Sequence, residues 1–391
     1  MIIAKQGEFD PVPLAALLPG AISLIAPFAL LKENRVVDGI PMSGFQLAGA
    51  WNWILIGVFI LVFLASFLKK TLWRSVLYGG SGLLCFWAMA WLLVRGSFLL
   101  PEGAAPRISP AWGFWGLPIA AYVLIDHSRI FRFRFGGLVL LTLLILPTAL
   151  LFSGGRGEAI SVMREWSARK DRFGAEFVVH LRLFLTAVGG ATLLGIPLGV
   201  QAARGGRSGA SVVSFVDAAQ TIPSMALFGL LMAPLAALSQ AFPLLRTLGV
   251  RGIGAAPALI ALTLYALLPI VRNTVVGLEQ VPDSALEAGL GMGMSPPQLF
   301  WRVQWPMALP YVLTGLKTAS VQAVGNTAVA ALIGAGGLGM MIFQGLGQSA
   351  PDLILLGVIP LVLLAVGVDR IWGFVILRTV SPGLSTVGGD S

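Results

Sequence analysis

Charge is what this chain has least of. Of its 391 residues only 11% are Asp, Glu, Lys or Arg, while 57% are hydrophobic. Soluble domains carry about a quarter charged residues, so a water-soluble globular fold is excluded. Cysteine occurs once, as Cys85 in an apolar run, which rules out an internal disulfide and points to a buried free thiol. The two histidines, His127 and His180, sit in no H-E-x-x-H pattern and not in the middle of an apolar run. Neither a metalloprotease nor a serine-type membrane protease therefore has its catalytic set. No Gly-Lys dipeptide exists, hence no G-x4-G-K-[ST] phosphate loop, and any ATP hydrolysis belongs to a separate subunit. Metal-ligand clusters and the alternating ten-residue segments of a membrane barrel are also missing. The expectation is a conduit with no bond-breaking site and no cofactor of its own.

What is present is a series of apolar runs of roughly twenty residues, the length that spans a bilayer as a helix. Ten are expected, over 12–31, 49–68, 75–94, 110–126, 135–152, 177–201, 210–237, 255–277, 309–334 and 353–377. The first reads as a retained helix with no cleavable signal before it. Lipid cannot hydrogen-bond a backbone, so each run must be helical. The fold class is an all-α integral membrane protein of about ten transmembrane helices.

The net charge of +9 is gathered in short inter-segment stretches, which reflects topology and contact with anionic lipid rather than nucleic acid. Lys69, Lys70 and Arg74 share a side with Arg129, Arg132 and Arg134, with Arg204 and Arg207, and with the C-terminal Arg370 and Arg378. The positive-inside rule makes that side cytoplasmic, with both termini inside. Residues 153–182 would face outward while holding six basic residues against four acidic ones, and longer external segments weigh less in the rule.

A polar stretch over 153–175 separates two blocks of five expected helices, 1–152 and 176–391. The first block is rich in tryptophan (Trp51, Trp53, Trp73, Trp87, Trp91, Trp112, Trp115), which suits anchoring at the membrane interface. The second is rich in small residues, as in Gly195–Gly199 and Gly334–Gly339, which permit close helix contact.

The most unusual stretch of the second block is EAGLGMGMSPPQLFWRVQWP, residues 287–306. Ser284 and Glu287 fit a capping box, which predicts a short helix to about Met294; Ser295 and Pro296 then start another. Gly289, Gly291 and Gly293 each cost about 1 kcal/mol inside a helix, so close approach of a second surface is the expected reason. Leu286, Leu290, Met292 and Met294 would supply adaptable apolar contact.

Glu287-Ala288-Gly289, then Gly293, Val303 and Trp305-Pro306, resemble the EAA motif of ABC importer permeases, EAA-x3-G-x9-I-x-L-P. The spacing is intact; Gly289, Val303 and Trp305 depart from the consensus residues. Residues 220–227 (QTIPSMAL), 265–273 (YALLPIVRN) and 331–339 (ALIGAGGLG) look like the glycine betaine/choline/proline branch of that family. The extra N-terminal block is similar in layout to long YehY-type osmoprotectant permeases. This resemblance implies a C-terminal five-helix MetI-like core over 176–391 in the bacterial inner membrane. Its coupling loop, 278–308, would dock a cytoplasmic ATPase dimer through Ser284, Glu287, Ala288, Gly289, Gly293, Val303 and Pro306. ATP and Mg would reside on that ATPase. Further partners implied are an external substrate-binding protein, a second permease (identical or shorter) and membrane lipid.

Polar groups within the second block are the candidates for a path or gate: Asp217, Gln220, Thr221, Pro223, Tyr265, Lys317, Gln322 and Asn326. Lys317 either marks the path, reaches the interface, or pairs with a carboxylate such as Asp217. Gln322 and Asn326 share a helix face and either line the path or bond a neighbouring helix. The aromatics Phe215, Phe228, Tyr265, Tyr311 and Phe343 suggest no cage for a quaternary ammonium. The functional expectation is the permease subunit of an importer of glycine betaine or a related osmoprotectant. The alternatives are an importer of another amino acid or methylated amine, or an ion-coupled carrier, which would need an inverted repeat.

Overall fold

The computed structural model describes residues 10–379, apart from 36, 70, 101–104, 132–135, 154, 156 and 248. Lys70, Arg132 and Arg134, used above for orientation, lie outside the described residues, as do both chain ends, 1–9 and 380–391. The chain forms two compact units, Met1–Ala168 and Arg169–Ser391.

The first unit is not purely helical. The run expected to span as 12–31 is instead a helix, α1 (Leu17–Ile25), followed by a strand, β1 (Pro27–Lys32). Proline at the turn explains the switch: Ala26, which precedes Pro27, is extended at φ −73°, ψ 164°. β1 is the centre of a three-stranded antiparallel sheet, flanked by β2 (Ile40–Ser43) and β3 (Arg107–Pro110). Leu31 lies opposite Ile40 on one side and Ile108 on the other, and Phe28, Ala29 and Leu31 are all buried.

Around the sheet pack α2 (Gly44–Ala65), α3 (Leu72–Ser97), α4 (Gly116–Ser128) and α5 (Gly136–Phe152). A capping box between Ser43 and Gln46 starts α2, and Thr71 caps α3. Trp51, Trp53, Trp73, Trp112 and Trp115 are exposed, as interfacial anchors are. Cys85 is a buried free thiol. The unit also buries charge. Asp10 accepts from Arg74 at 3.2 Å and meets His127 Nε2 at 2.8 Å, and Glu165 binds Arg107 at 3.0 Å and Arg35 at 3.3 Å.

The polar stretch after 153 turns helical at Ser161 and runs on as α6 (Ser161–Ala203), with one break in the backbone at Arg169 (φ −134°). That break is where the two units divide.

The second unit is built on α9 (Ala255–Glu279) and the helices that touch it. The single span expected over 210–237 is instead two helices, α7 (Gly206–Thr221) and α8 (Ser224–Ala241), and a short turn of helix over Pro243–Thr247 follows before α9. The cause is again proline: Ile222 before Pro223 is extended (ψ 125°). Tyr265 holds this corner from α9, donating its hydroxyl to Ile222 O and accepting from Gln220 Nε2 at its own carbonyl, 2.8 Å.

Small residues bring α6 against α9. A Cβ on Gly195 would lie 2.9 Å from Ile270 Cγ2, and one on Gly199 2.5 Å from Thr274 Cβ, a four-residue repeat on both helices. Beyond α9 come α10 (Asp283–Gly291), α11 (Pro296–Leu299), α12 (Trp305–Val329), α13 (Gly339–Gly347) and α14 (Pro351–Thr379). α12 packs between α9 and α14, and Trp372 donates to Ser320 Oγ across the latter contact at 3.0 Å.

Among the described residues six helices are long and apolar enough to cross a membrane: α2, α3, α6, α8, α9 and α14. Two shorter apolar helices, Pro13–Ile25 and Val139–Phe152, accompany them, so the expected number of ten is not reproduced. α12 has the length but carries polar residues along one side, which lowers its hydropathy.

Candidate functional site: docking loop and polar face

α9 ends at Glu279, and the chain turns at Pro282 into α10. Pro282 itself is the N-cap, extended at ψ 137°, and Ser284 lies one residue inside the helix, so the expected capping box at Ser284 does not form. A proline has no N–H to satisfy, and it sets the entry angle in place of a side-chain cap.

α10 is also shorter than expected. It stops at Gly291 in a Schellman motif: Gly293 N donates to Leu290 O at 2.9 Å and Met294 N to Gly289 O at 3.1 Å. Gly293 sits at φ +75°, where any side chain is strained. Its requirement is thus conformational, set by the turn, and it lies outside the helix. Gly289 is buried because a Cβ there would meet Leu299 at 2.5 Å, inside the loop, with Val303 next to it. Gly291 and Gly293 both face open space. Packing thus requires Gly289 and the turn requires Gly293, while nothing around Gly291 calls for a glycine.

The second half of the loop follows expectation at its start. Ser295 and Gln298 form a capping box with Pro296 at the first helical turn. From there α11, a π-helical turn (Phe300–Gln304) and α12 run on without a break. The outer face of α10 presents Ser284, Glu287, Ala288, Leu290 and Met292, all exposed; Leu286 and Met294 are half-buried. Val303 is half-buried beneath the helix and Pro306 is exposed in the first turn of α12. An exposed amphipathic helix stands on a rigid support between two long helices.

The polar residues of the unit resolve into two ion pairs and a stripe. Asp217 binds Arg272 through both oxygens at 3.1 and 2.8 Å. Lys317 pairs with Asp369 at 2.8 Å, not with Asp217. Sequence gave no means of choosing, because Asp369 lies 52 positions further on and only helix packing brings it near.

Gln322 is exposed and Asn326 half-buried, and among the described residues neither bonds a neighbouring helix. Thr314 and Thr318, which the sequence reading passed over, are exposed at the same four-residue spacing and complete the stripe on α12. Their hydroxyls bond back to Pro310 and Thr314 carbonyls within the helix. The four-residue period of Thr314, Thr318, Gln322 and Asn326 was the signal that would have found them. Thr221 similarly bonds back to Ala218 O at 2.7 Å. At the far end of α12, Glu176 of α6 accepts from Gly337 N at 2.7 Å and ties down the glycine-rich turn before α13.

The unit thus presents an exposed helix between two long helices and a polar face on the second of them. Comparison with known proteins is specific. Residues 195–380 match the family described as binding-protein-dependent transport system inner membrane component. Residues 10–163 match that described as ABC transporter permease YehY, N-terminal domain.

The osmoprotectant import permease protein OsmW of Salmonella typhimurium is 42% identical over 194 residues, 49% of this chain and 83% of that protein. The glycine betaine/carnitine/choline transport system permease protein OpuCB of Bacillus subtilis is 35% identical, over 52% of this chain and 86% of that protein. A solved methionine ABC transporter in an inward-facing conformation aligns at 22% identity and TM-score 0.46, over 54% of this chain and 96% of that one. The chain belongs to the family of inner-membrane permease components of binding-protein-dependent ABC transport systems.

Proposed function

We propose that this chain is the membrane subunit of an ATP-driven importer of glycine betaine or a related osmoprotectant. The observation that carries the docking role is α10, an exposed amphipathic helix seated on Leu299 and Val303 between α9 and α12. A helix-in-groove partner reads such a surface through Leu290 and Met292, with Glu287 and Ser284 at its rim. That partner is a cytoplasmic ATPase dimer, which binds ATP and Mg; this chain contributes no cofactor. The loop side is then cytoplasmic, as are both termini.

Two ATPase subunits need two docking loops, so a second permease, identical or shorter, completes the pore. The polar stripe of α12 faces it across the path, with the Asp217–Arg272 and Lys317–Asp369 pairs beside it. An external binding protein delivers the substrate. Relatives that import glycine betaine, carnitine and choline support this substrate class. The chain divides functionally as 1–152, an N-terminal membrane block, 153–175, an external connector, and 176–391, the permease core.

The test is the ATPase rate of the complex in lipid nanodiscs with the binding protein, with and without glycine betaine. Stimulation by betaine that is lost in Leu290→Asp supports both the docking helix and the substrate. An ATPase that copurifies and ignores betaine retains the docking role and overturns the substrate class.

A further inference from the structure

Beside α10 the second unit has an open cavity of about 830 Å³, with Trp301 63% exposed at its edge. One wall is the last turns of α6, with Pro197, Gln201 and Arg204; the other runs from Pro296 to Trp305. On the second wall three aromatic rings cluster. Phe300 and Trp301 have centroids 5.0 Å apart at 82°, Trp301 and Trp305 5.9 Å at 64°, and Phe300 and Trp305 6.1 Å at 36°.

In an α-helix Trp301 and Trp305, four apart, share a face, while Phe300 falls away from Trp305. Residues five apart stack only in a π-helical turn, and Trp305 N–H does bond Phe300 O. The wider turn carries Trp305 round to the side of Phe300 and Trp301. Such turns, rare elsewhere, recur at functional sites.

The chemistry of the walls is selective. The rings pack edge to face on one another, and Trp301, the most exposed of them, is the ring open to a methylated ammonium. Arg204 is the one charged residue among the described lining residues. A bare cation meets the rings and is repelled by Arg204. An inorganic anion meets Arg204 and gains nothing from the rings. A zwitterion with a quaternary ammonium a few bonds from an anionic group satisfies both walls, and Gln201 and Gln304 add hydrogen-bond donors.

We infer that this cavity is a binding site for a quaternary-ammonium zwitterion on the docking-loop side of the permease. Its sources are free glycine betaine or a phosphatidylcholine headgroup, which share that chemistry. The inference rests on the osmoprotectant reading for its biological ligand. It goes further in placing a second, membrane-subunit site where imported product accumulates. An occupant bridges the end of α6 to the helix that supports α10, so filling the site restrains the docking loop and slows ATP hydrolysis.

The experiment uses the chain in complex with its ATPase, without the binding protein, in nanodiscs of phosphatidylethanolamine and phosphatidylglycerol. Radiolabelled glycine betaine should bind saturably, and about tenfold more weakly in Trp301→Ala. Trp301→Phe should restore binding, which separates loss of the ring from misfolding. Arg204→Gln should weaken betaine and leave choline unchanged or tighter.

In a second arm the discs contain phosphatidylcholine. If the lipid blocks betaine and native mass spectrometry finds it retained by the parent chain but not by Trp301→Ala, the headgroup is the occupant and the site stands. Binding unchanged in Trp301→Ala, or neither betaine nor phosphatidylcholine bound, overturns the inference. Betaine stimulation through the binding protein is measured on the same discs. If stimulation persists while the site is empty, only this inference falls. If Trp301-dependent binding persists without stimulation, the importer reading falls instead.

Discussion

The two units treat their charges in opposite ways. In the first, Asp10, Arg74, Arg107 and Glu165 are all under a tenth exposed and tied to one another in two networks. In the second, the side chains of the Asp217–Arg272 pair are 35% and 58% exposed, and those of Lys317 and Asp369 32% and 44%. Breaking a buried pair leaves an uncompensated charge, whereas an open pair contributes little. The first unit's charges therefore hold a fold together. The two pairs of the second lie open at its surface.

The contrast breaks first at Glu165. Glu165→Ala orphans the Arg107 and Arg35 guanidiniums and should destabilise the first unit by about 3–5 kcal/mol. Thermal unfolding in detergent or loss of folded yield measures it; an unchanged melting temperature would refute a structural role for that network. Leu290→Asp should leave folding intact, because the side chain is 56% exposed. It should lower ATPase copurification by at least about tenfold, the scale of one apolar anchor lost from an interface.

Gly293→Ala comes next. Forcing a Cβ onto φ +75° should cost about 1 kcal/mol or slightly more, with partial loss of ATPase coupling. An Ala variant as active as the parent would show that the turn tolerates a side chain. The smallest stability effect is expected at Lys317→Met, about 1 kcal/mol or less. Its transport rate should nevertheless fall, and a fall that tracks lost folded protein would assign the pair a structural role after all.

Much of the second unit was legible because its signals are local. α9, α14 and the Ser295–Gln298 box follow from apolar length and capping chemistry, and the EAA spacing located α10 to within a few residues. The errors were local too. Ser284 has the chemistry of a cap, yet Pro282 two positions earlier fixes the entry. The run 12–31 has the hydropathy of one helix, and hydropathy does not distinguish a helix from a buried central strand. Pro27 was the overlooked signal.

Sequence alone determined that this is a polytopic membrane protein, that its chemistry of ATP lies elsewhere, and where the short helix between α9 and α12 falls. Those properties depend on composition and on spacings within one turn or two, which the chain carries wherever it is folded. Tertiary structure decided that Lys317 meets Asp369, that Asp217 meets Arg272, and that Glu165 is buried under two arginines. It also decided that a π-helical turn gathers Phe300, Trp301 and Trp305 onto one wall. Such pairings join residues far apart in the chain or shift the helical phase between near ones. Only the packing of whole helices fixes either.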